Sequence, residues 1–116
     1  MGKIILEYLD GNRIYVCTKC HIHISNYKSR ISKNFRGGIG QAFLFEKGIN
    51  YHVGQPEDKD LMTGKHIVQD VICNGCNKVI GWKYVLRIIK AYRESEKYKE
   101  GKIIIERHYI RRIKWS

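Results

Sequence analysis

Every cysteine in this chain belongs to one of two Cys-x-x-Cys turns, Cys17-Thr18-Lys19-Cys20 and Cys73-Asn74-Gly75-Cys76. Each turn offers two thiolates from one tight loop, and two such turns supply the four soft ligands of a closed tetrahedral zinc site. The flanking residues suit a backbone that wraps a metal. Gly75 lies inside the second turn, and His21 and Asn77 each follow one, both being residue types that tolerate positive φ. Two disulfides would use the same residues, and four sulfurs also accept iron; zinc is the default for such a set. The 52 residues between Cys20 and Cys73 far exceed the roughly 15–20 of a compact zinc ribbon. The metal is therefore expected to clamp two distant segments of one domain, not to organise a small recognition finger.

A chain of 116 residues is sized for one domain with a modest core, in which a metal clamp contributes much of the stability. No stretch approaches the ~20 apolar residues of a membrane span. The opening residues MGKIILEYLDGN lack the apolar run and cleavage site of a secretory signal. Leu6 stands where a myristoylation motif wants Ser or Thr. The expectation is an intracellular protein without a membrane partner, its thiols reduced and available to metal.

The net charge is +11, and it is uneven: from Arg87 onward ten Lys and Arg face four Glu. Such an excess steers anionic partners, nucleic acid among them, or simply keeps a surface soluble.

Apolar residues come in short β-branched and aromatic runs, which predicts strands at Ile4–Tyr8, Arg13–Val16, Gln41–Glu46, Tyr51–Val53, His66–Ile72, Ile80–Ile88 and Lys102–Tyr109. The polar stretch Gly54–Asp60, with the single proline Pro56, reads as a surface loop. Ala91–Glu100 is polar and helix-compatible. Each cysteine turn thus hangs from a strand, in a mostly antiparallel β domain pinned at one end by metal.

These positions also match a known pattern. After Cys17 and Cys20 come Gly40, Leu44, Asn50 and Gly64, then Cys73 and Cys76, then Gly81-Trp82-Lys83-Tyr84, and finally Tyr98 to Lys102 and Glu106. In this register the chain resembles the yippee family from Cys17 to Glu106, with a slightly longer interval between Tyr84 and Lys99. The resemblance implies a mainly β, zinc-stabilised antiparallel β-tent of two sheets, with one short helix or loop insertion near the C-terminus. It divides the chain into an N-terminal extension (1–12), a yippee zinc-binding domain (13–110) and a basic C-terminal tail (111–116). The β-tent is shared with the thalidomide-binding domain of cereblon, B-type methionine-R-sulfoxide reductases and Mis18 proteins. Family membership further implies one structural zinc on Cys17, Cys20, Cys73 and Cys76. It also implies a setting in the nucleus or cytoplasm, near the mitotic apparatus, and protein partners such as subunits of a CTLH/GID-type ubiquitin ligase.

Catalytic readings lose their central atom. A methionine sulfoxide reductase needs a thiolate nucleophile, and four cysteines on zinc leave none. A closed four-sulfur site has no open position for hydrolysis. A zinc deaminase would carry His-x-Glu and Pro-Cys-x-x-Cys, but this chain has His21-Ile22-His23, and Ile72 before Cys73. His21 and His23 adjoin the first turn as spare ligands or as turn and strand residues. The glycines of Arg36–Gly40 match no nucleotide-binding fingerprint and suit a turn, with Lys33 and Arg36 near enough to meet an acidic group.

The chain is accordingly expected to be a binding protein, not an enzyme. Trp82 and Tyr84 alternate on a strand and share a face. With Phe43, Tyr51 and His66, and with Phe45 or Tyr92 as further walls, they could line an aromatic pocket for a protein segment, a cation or a flat polar ring. The plain alternative is that they fill the core between sheets. The rival from another class is nucleic-acid or chromatin association through the basic carboxyl-terminal third.

Overall fold

The computed structural model describes residues 6–61, 64–87 and 101–115. Among these, ten strands alternate with turns: β1 (Gly11–Cys17), β2 (His23–Asn26), β3 (Arg30–Arg36), β4 (Gln41–Phe45), β5 (Tyr51–Val53), β6 (Glu57–Leu61), β7 (Gly64–Cys73), β8 (Val79–Arg87), β9 (Ile103–Glu106) and β10 (Ile110–Trp115). Two 3-10 turns, Tyr27–Ser29 and Arg107–Tyr109, are the only helical elements described. The segment expected as a helix, Ala91–Glu100, lies outside the described residues. No helix among the described residues is long and apolar enough to cross a membrane.

The strands form two antiparallel sheets. One has the order β10-β1-β2; the other runs β3-β4-β9-β8-β7-β5, with β6 also paired to β7. The long strand β7 gives one edge to β8 and shares its other edge between β6 near its start and β5 near its end.

A core fills the space between the sheets. The small sheet contributes Tyr15, Cys17, Ile24 and Ile110; the large one contributes Phe43, Phe45, Val71, Cys73, Ile80, Ile103 and Ile105. Tyr15, Phe43 and Phe45 meet edge to face, with ring centroids 5.4–6.3 Å apart, the arrangement that aromatic quadrupoles favour. Strand alternation sends Ala42, Leu44, Val68, Tyr84 and Ile104 to the other face of the large sheet, where Phe35 and Trp82 pack on them. The run Ile103-Ile104-Ile105 is completely buried because β9 serves both clusters at once.

Gly81 shows how closely β8 and β9 approach. A Cβ there would collide with the main-chain carbonyl of Ile104, so any larger residue would push the central strands apart.

Several expectations change. Of residues 111–116, read as a tail, 111–115 instead belong to β10, which pairs with β1 from Cys17↔Ile110 to Gly11↔Trp115. Alternating Ile and basic residues there suit a half-buried strand, a pattern masked by its charge. The polar loop contains β6, a hairpin partner of β7 exposed along Glu57–Asp60. An edge strand needs no apolar face, so its sequence reads as loop. β2 and β3 were missed for the same lack of a long apolar run. Residues 6–8, expected in a strand, lie outside both sheets, and the predicted end of β9 becomes the 3-10 turn Arg107–Tyr109.

Candidate functional site

The two cysteine turns are built alike. In each, the residue after the second cysteine takes positive φ, 65° at His21 and 60° at Asn77. Its amide donates to the carbonyl of the first cysteine: His21 to Cys17 at 2.9 Å and Asn77 to Cys73 at 2.8 Å. The amide of each first cysteine reaches forward to close the loop, Cys17 to Ile22 and Cys73 to Lys78. Side chains with short polar groups adopt that backbone at low cost, which is the role anticipated for His21 and Asn77. Gly75 has a different reason: a Cβ would run into the Cys20 sulfur.

Both turns meet at one end of the sheets, β1 delivering Cys17 and β7 delivering Cys73. The four sulfurs lie within 4.8 Å of one another, with Cys17 Sγ 3.8 Å from Cys76 Sγ and Cys20 Sγ 3.4 Å from Cys73 Sγ. Tetrahedral zinc with Zn–S bonds near 2.3 Å sets sulfurs about 3.8 Å apart, so the donor set fits the ion. The disulfide alternative fails, since disulfide sulfurs are bonded at about 2.05 Å.

Electrostatics tell the same story. Burial raises the Cys17 thiol, but amides of Cys20 and Lys19 and neighbouring sulfurs outweigh it, so its pKa falls below the ordinary value. Burial is the largest influence on Cys20 and Cys73, and both are pushed up, with the charge of Cys17 adding to the rise. Four thiols this close cannot all ionise unaided; a divalent cation supplies the missing positive charge. Cys17, Cys20, Cys73 and Cys76 therefore form one structural zinc site.

The residues expected around an aromatic pocket do not come together. Phe43 lies in the core between the sheets, and Tyr51 packs against that same core. Phe45 is there too, while Tyr92 is outside the described residues. Strand alternation is the reason: Ala42 and Leu44, not Phe43 and Phe45, share the Trp82 face. Tyr84 does share it, as anticipated, but is buried, its ring 5.3 Å from that of buried His66.

Of the five, Trp82 borders a cleft. It lies in a cross-strand row Leu44–Ile104–Trp82–Asp70. The adjoining cleft, 510 Å³ in volume, is bordered by Trp82, Val68, Asp70, Lys59, Arg36 and Glu106 among others, a size ordinary for a ligand site. The indole Nε1 is buried and has no hydrogen-bond partner among the described residues. Glu106 accepts the amides of Gly38 and Ile39 at 3.3 and 3.1 Å, so the acidic group that meets the glycine turn is the chain's own. The charged rim was not singled out from sequence; alternation along β7, which sets Asp70 on the Val68 face, was the available signal.

Three comparisons complete the picture. The family model described as "Yippee zinc-binding/DNA-binding /Mis18, centromere assembly" matches residues 13–116, which takes in β10. A yippee-like protein of Arabidopsis thaliana is 45% identical over 105 residues, 90% of this chain and 95% of its own. Protein yippee-like 3 of Homo sapiens is 42% identical over 116 residues, 98% and 94% of the two chains. Protein yippee of Drosophila melanogaster is 39% identical over 106 residues, 91% and 84%. The crystal structure of a Mis18 'Yippee-like' domain superposes with a TM-score of 0.68 at 13% identity, covering 90% of this chain and 97% of that one; this likeness concerns the fold.

Proposed function

The chain belongs to the Yippee–Mis18 family, and we propose that it is a non-catalytic adaptor, a zinc-clamped domain that takes a segment of a protein partner into the cleft beside Trp82. The observation that carries this reading is Trp82, which borders that cleft and whose buried indole Nε1 has no acceptor among the described residues. A buried donor left unpaired costs about 1–3 kcal/mol, which an incoming carbonyl oxygen would recover. Protein segments supply such carbonyls at every residue. The rim offers both signs of charge, Arg36 and Lys59 against Asp70 and Glu106, as suits a polypeptide better than a uniformly anionic ligand. With four thiolates engaged by zinc, no nucleophile remains at the metal centre.

The family resemblance makes subunits of a CTLH/GID-type ubiquitin ligase the first partners to test, in a nuclear or cytoplasmic setting. The experiment is affinity purification from cells followed by mass spectrometry, comparing wild type with Trp82→Phe and Trp82→Ala. Proteins captured by the wild type and lost from both variants, each still carrying zinc, support the reading. An unchanged set of captured proteins overturns it.

One observation favours a nucleic-acid reading as the second choice. Arg111, Arg112 and Lys114 are exposed on strand β10, beside β1 with its exposed Arg13, so four basic groups are concentrated on one strand pair. Phosphate contacts make affinity fall steeply with salt. Binding that collapses across a salt series and ignores Trp82→Ala would select this reading.

A further inference from the structure

A second site lies away from Trp82, between β2 and the turn that precedes β5, and adjoins the second cysteine turn through Asn74. Asn50, buried and held at φ 58°, turns its carboxamide toward the chain's own residues 6–10. Glu7 N–H donates to Asn50 Oδ1 at 2.8 Å, and Asn50 Nδ2 donates to the Glu7 carbonyl at 2.8 Å. One carboxamide thus satisfies both main-chain groups of a single residue, as a neighbouring strand would. Two residues on, Leu9 N–H donates to Nδ1 of buried His23 at 2.8 Å. Amides two apart on an extended chain face the same way, so Asn50 and His23 together read one edge of a peptide.

The receptor half stands without that peptide. Asn50 Nδ2 also donates to the His23 carbonyl at 2.7 Å, and the Asn50 carbonyl accepts the Asn74 amide at 2.9 Å. The segment itself leaves part of its side-chain surface in solvent. Glu7 and Tyr8 are exposed, and the Tyr8 ring meets that of His23 edge-on at 5.3 Å. Leu6 and Leu9 are half-buried, and Leu9 lines a cavity of 250 Å³ with Ile24, Gly48 and Ile49. Recognition therefore draws on the main chain, with apolar side chains beside it, the chemistry of strand-type peptide binding.

We propose that Asn50 and His23 form a peptide-binding site for an extended segment bearing an apolar residue two places after the clamped one, occupied in cis by the chain's own residues 6–10 and open to an equivalent peptide in trans. A tethered segment competes at an effective concentration in the millimolar range, so the site is masked until the segment is displaced. The proposal is independent of the Trp82 cleft.

The probe is a fluorescein-labelled peptide with the sequence of residues 3–12, titrated by anisotropy against the full chain. Glu7→Pro removes the amide that Asn50 accepts and frees the site. If the cis segment leaves the site open about a tenth of the time, this variant binds the peptide about tenfold more tightly than wild type. A peptide with proline at the Glu7 position does not bind, and adding Asn50→Asp to the variant abolishes the gain. Equal affinity of wild type and Glu7→Pro, with zinc content and circular dichroism unchanged, overturns the proposal. Should Glu7→Pro lose its zinc, hydrogen exchange decides on the wild type. Excess peptide must change the protection of the chain's own Glu7 and Leu9 amides, and unchanged protection overturns the proposal equally.

Discussion

Cys17 and Cys76 lie 59 positions apart in the chain, and their sulfurs are 3.8 Å apart in space. An ion between the cysteine turns ties β1 of the small sheet to β7 of the large one, at an end of the core to which Cys17 and Cys73 themselves belong. Zinc binding and folding are therefore one equilibrium. Cys73→Ser should abolish one-to-one zinc binding in elemental analysis and remove the cooperative thermal transition. A variant that melts as the wild type does with no metal bound would contradict this.

Two substitutions at Trp82 separate packing from the proposed recognition. Trp82→Ala deletes a half-buried ring against Leu44 and Ile104, and should cost about 2–3 kcal/mol, below the 3–5 of a fully buried aromatic. Trp82→Phe keeps most of that packing and deletes the unpaired N–H. It should be neutral, or stabilising by up to about 1 kcal/mol in urea unfolding, while partner capture falls. A marked loss of stability in Trp82→Phe would mean that the indole N–H is satisfied in the folded chain.

Gly81 should be intolerant of even one methyl group. Gly81→Ala places a carbon against the Ile104 carbonyl, which belongs to the backbone of a central strand and cannot swing away. Its cost should reach about 3 kcal/mol or more, the upper end for overpacking. Ala42→Gly, on β4 across β9 in the same sheet, should cost only about 1 kcal/mol. Chemical denaturation of the two variants checks the contrast.

His23 makes the N-terminal segment sensitive to acid. Burial lowers its pKa from the ordinary 6.5, and Asp10 opposes this only in part. The unfolded chain then binds the extra proton more readily than the folded one. The associated stability is complete above about pH 6.5 and is lost as pH falls through the depressed folded value. Protonation also converts Nδ1 from acceptor to donor, breaking its bond from the Leu9 amide. Protection of that amide should fall between about pH 7.5 and about pH 5.5, with zinc still bound, and the fall should be absent in His23→Gln. Parallel behaviour of the two proteins would assign the effect to other groups.

Much of this was readable from residue types. The cysteine spacing revealed the zinc ligands, positive-φ residues marked both turns, and period-two alternation set Trp82 and Tyr84 on one face. Edge strands were less legible. Glu57–Asp60 and Arg111–Lys114 carry too many charges to announce themselves as strands, because a strand at a sheet margin keeps its hydrogen bonds without burying both faces. The role of Asn50 was hidden for another reason: it depends on meeting Glu7, 43 positions away.

The linear order of amino acids determined the metal, the β character and the identity of its ligands, since these follow from local chemistry and from periodicities of a few residues. Tertiary structure alone decided which aromatic groups became core and which reached a cleft. It also decided which carboxylate latched the glycine turn and which amide clamped the N-terminal segment. Those outcomes depend on how two sheets stack and in what register, and register is set by the sum of many distant contacts.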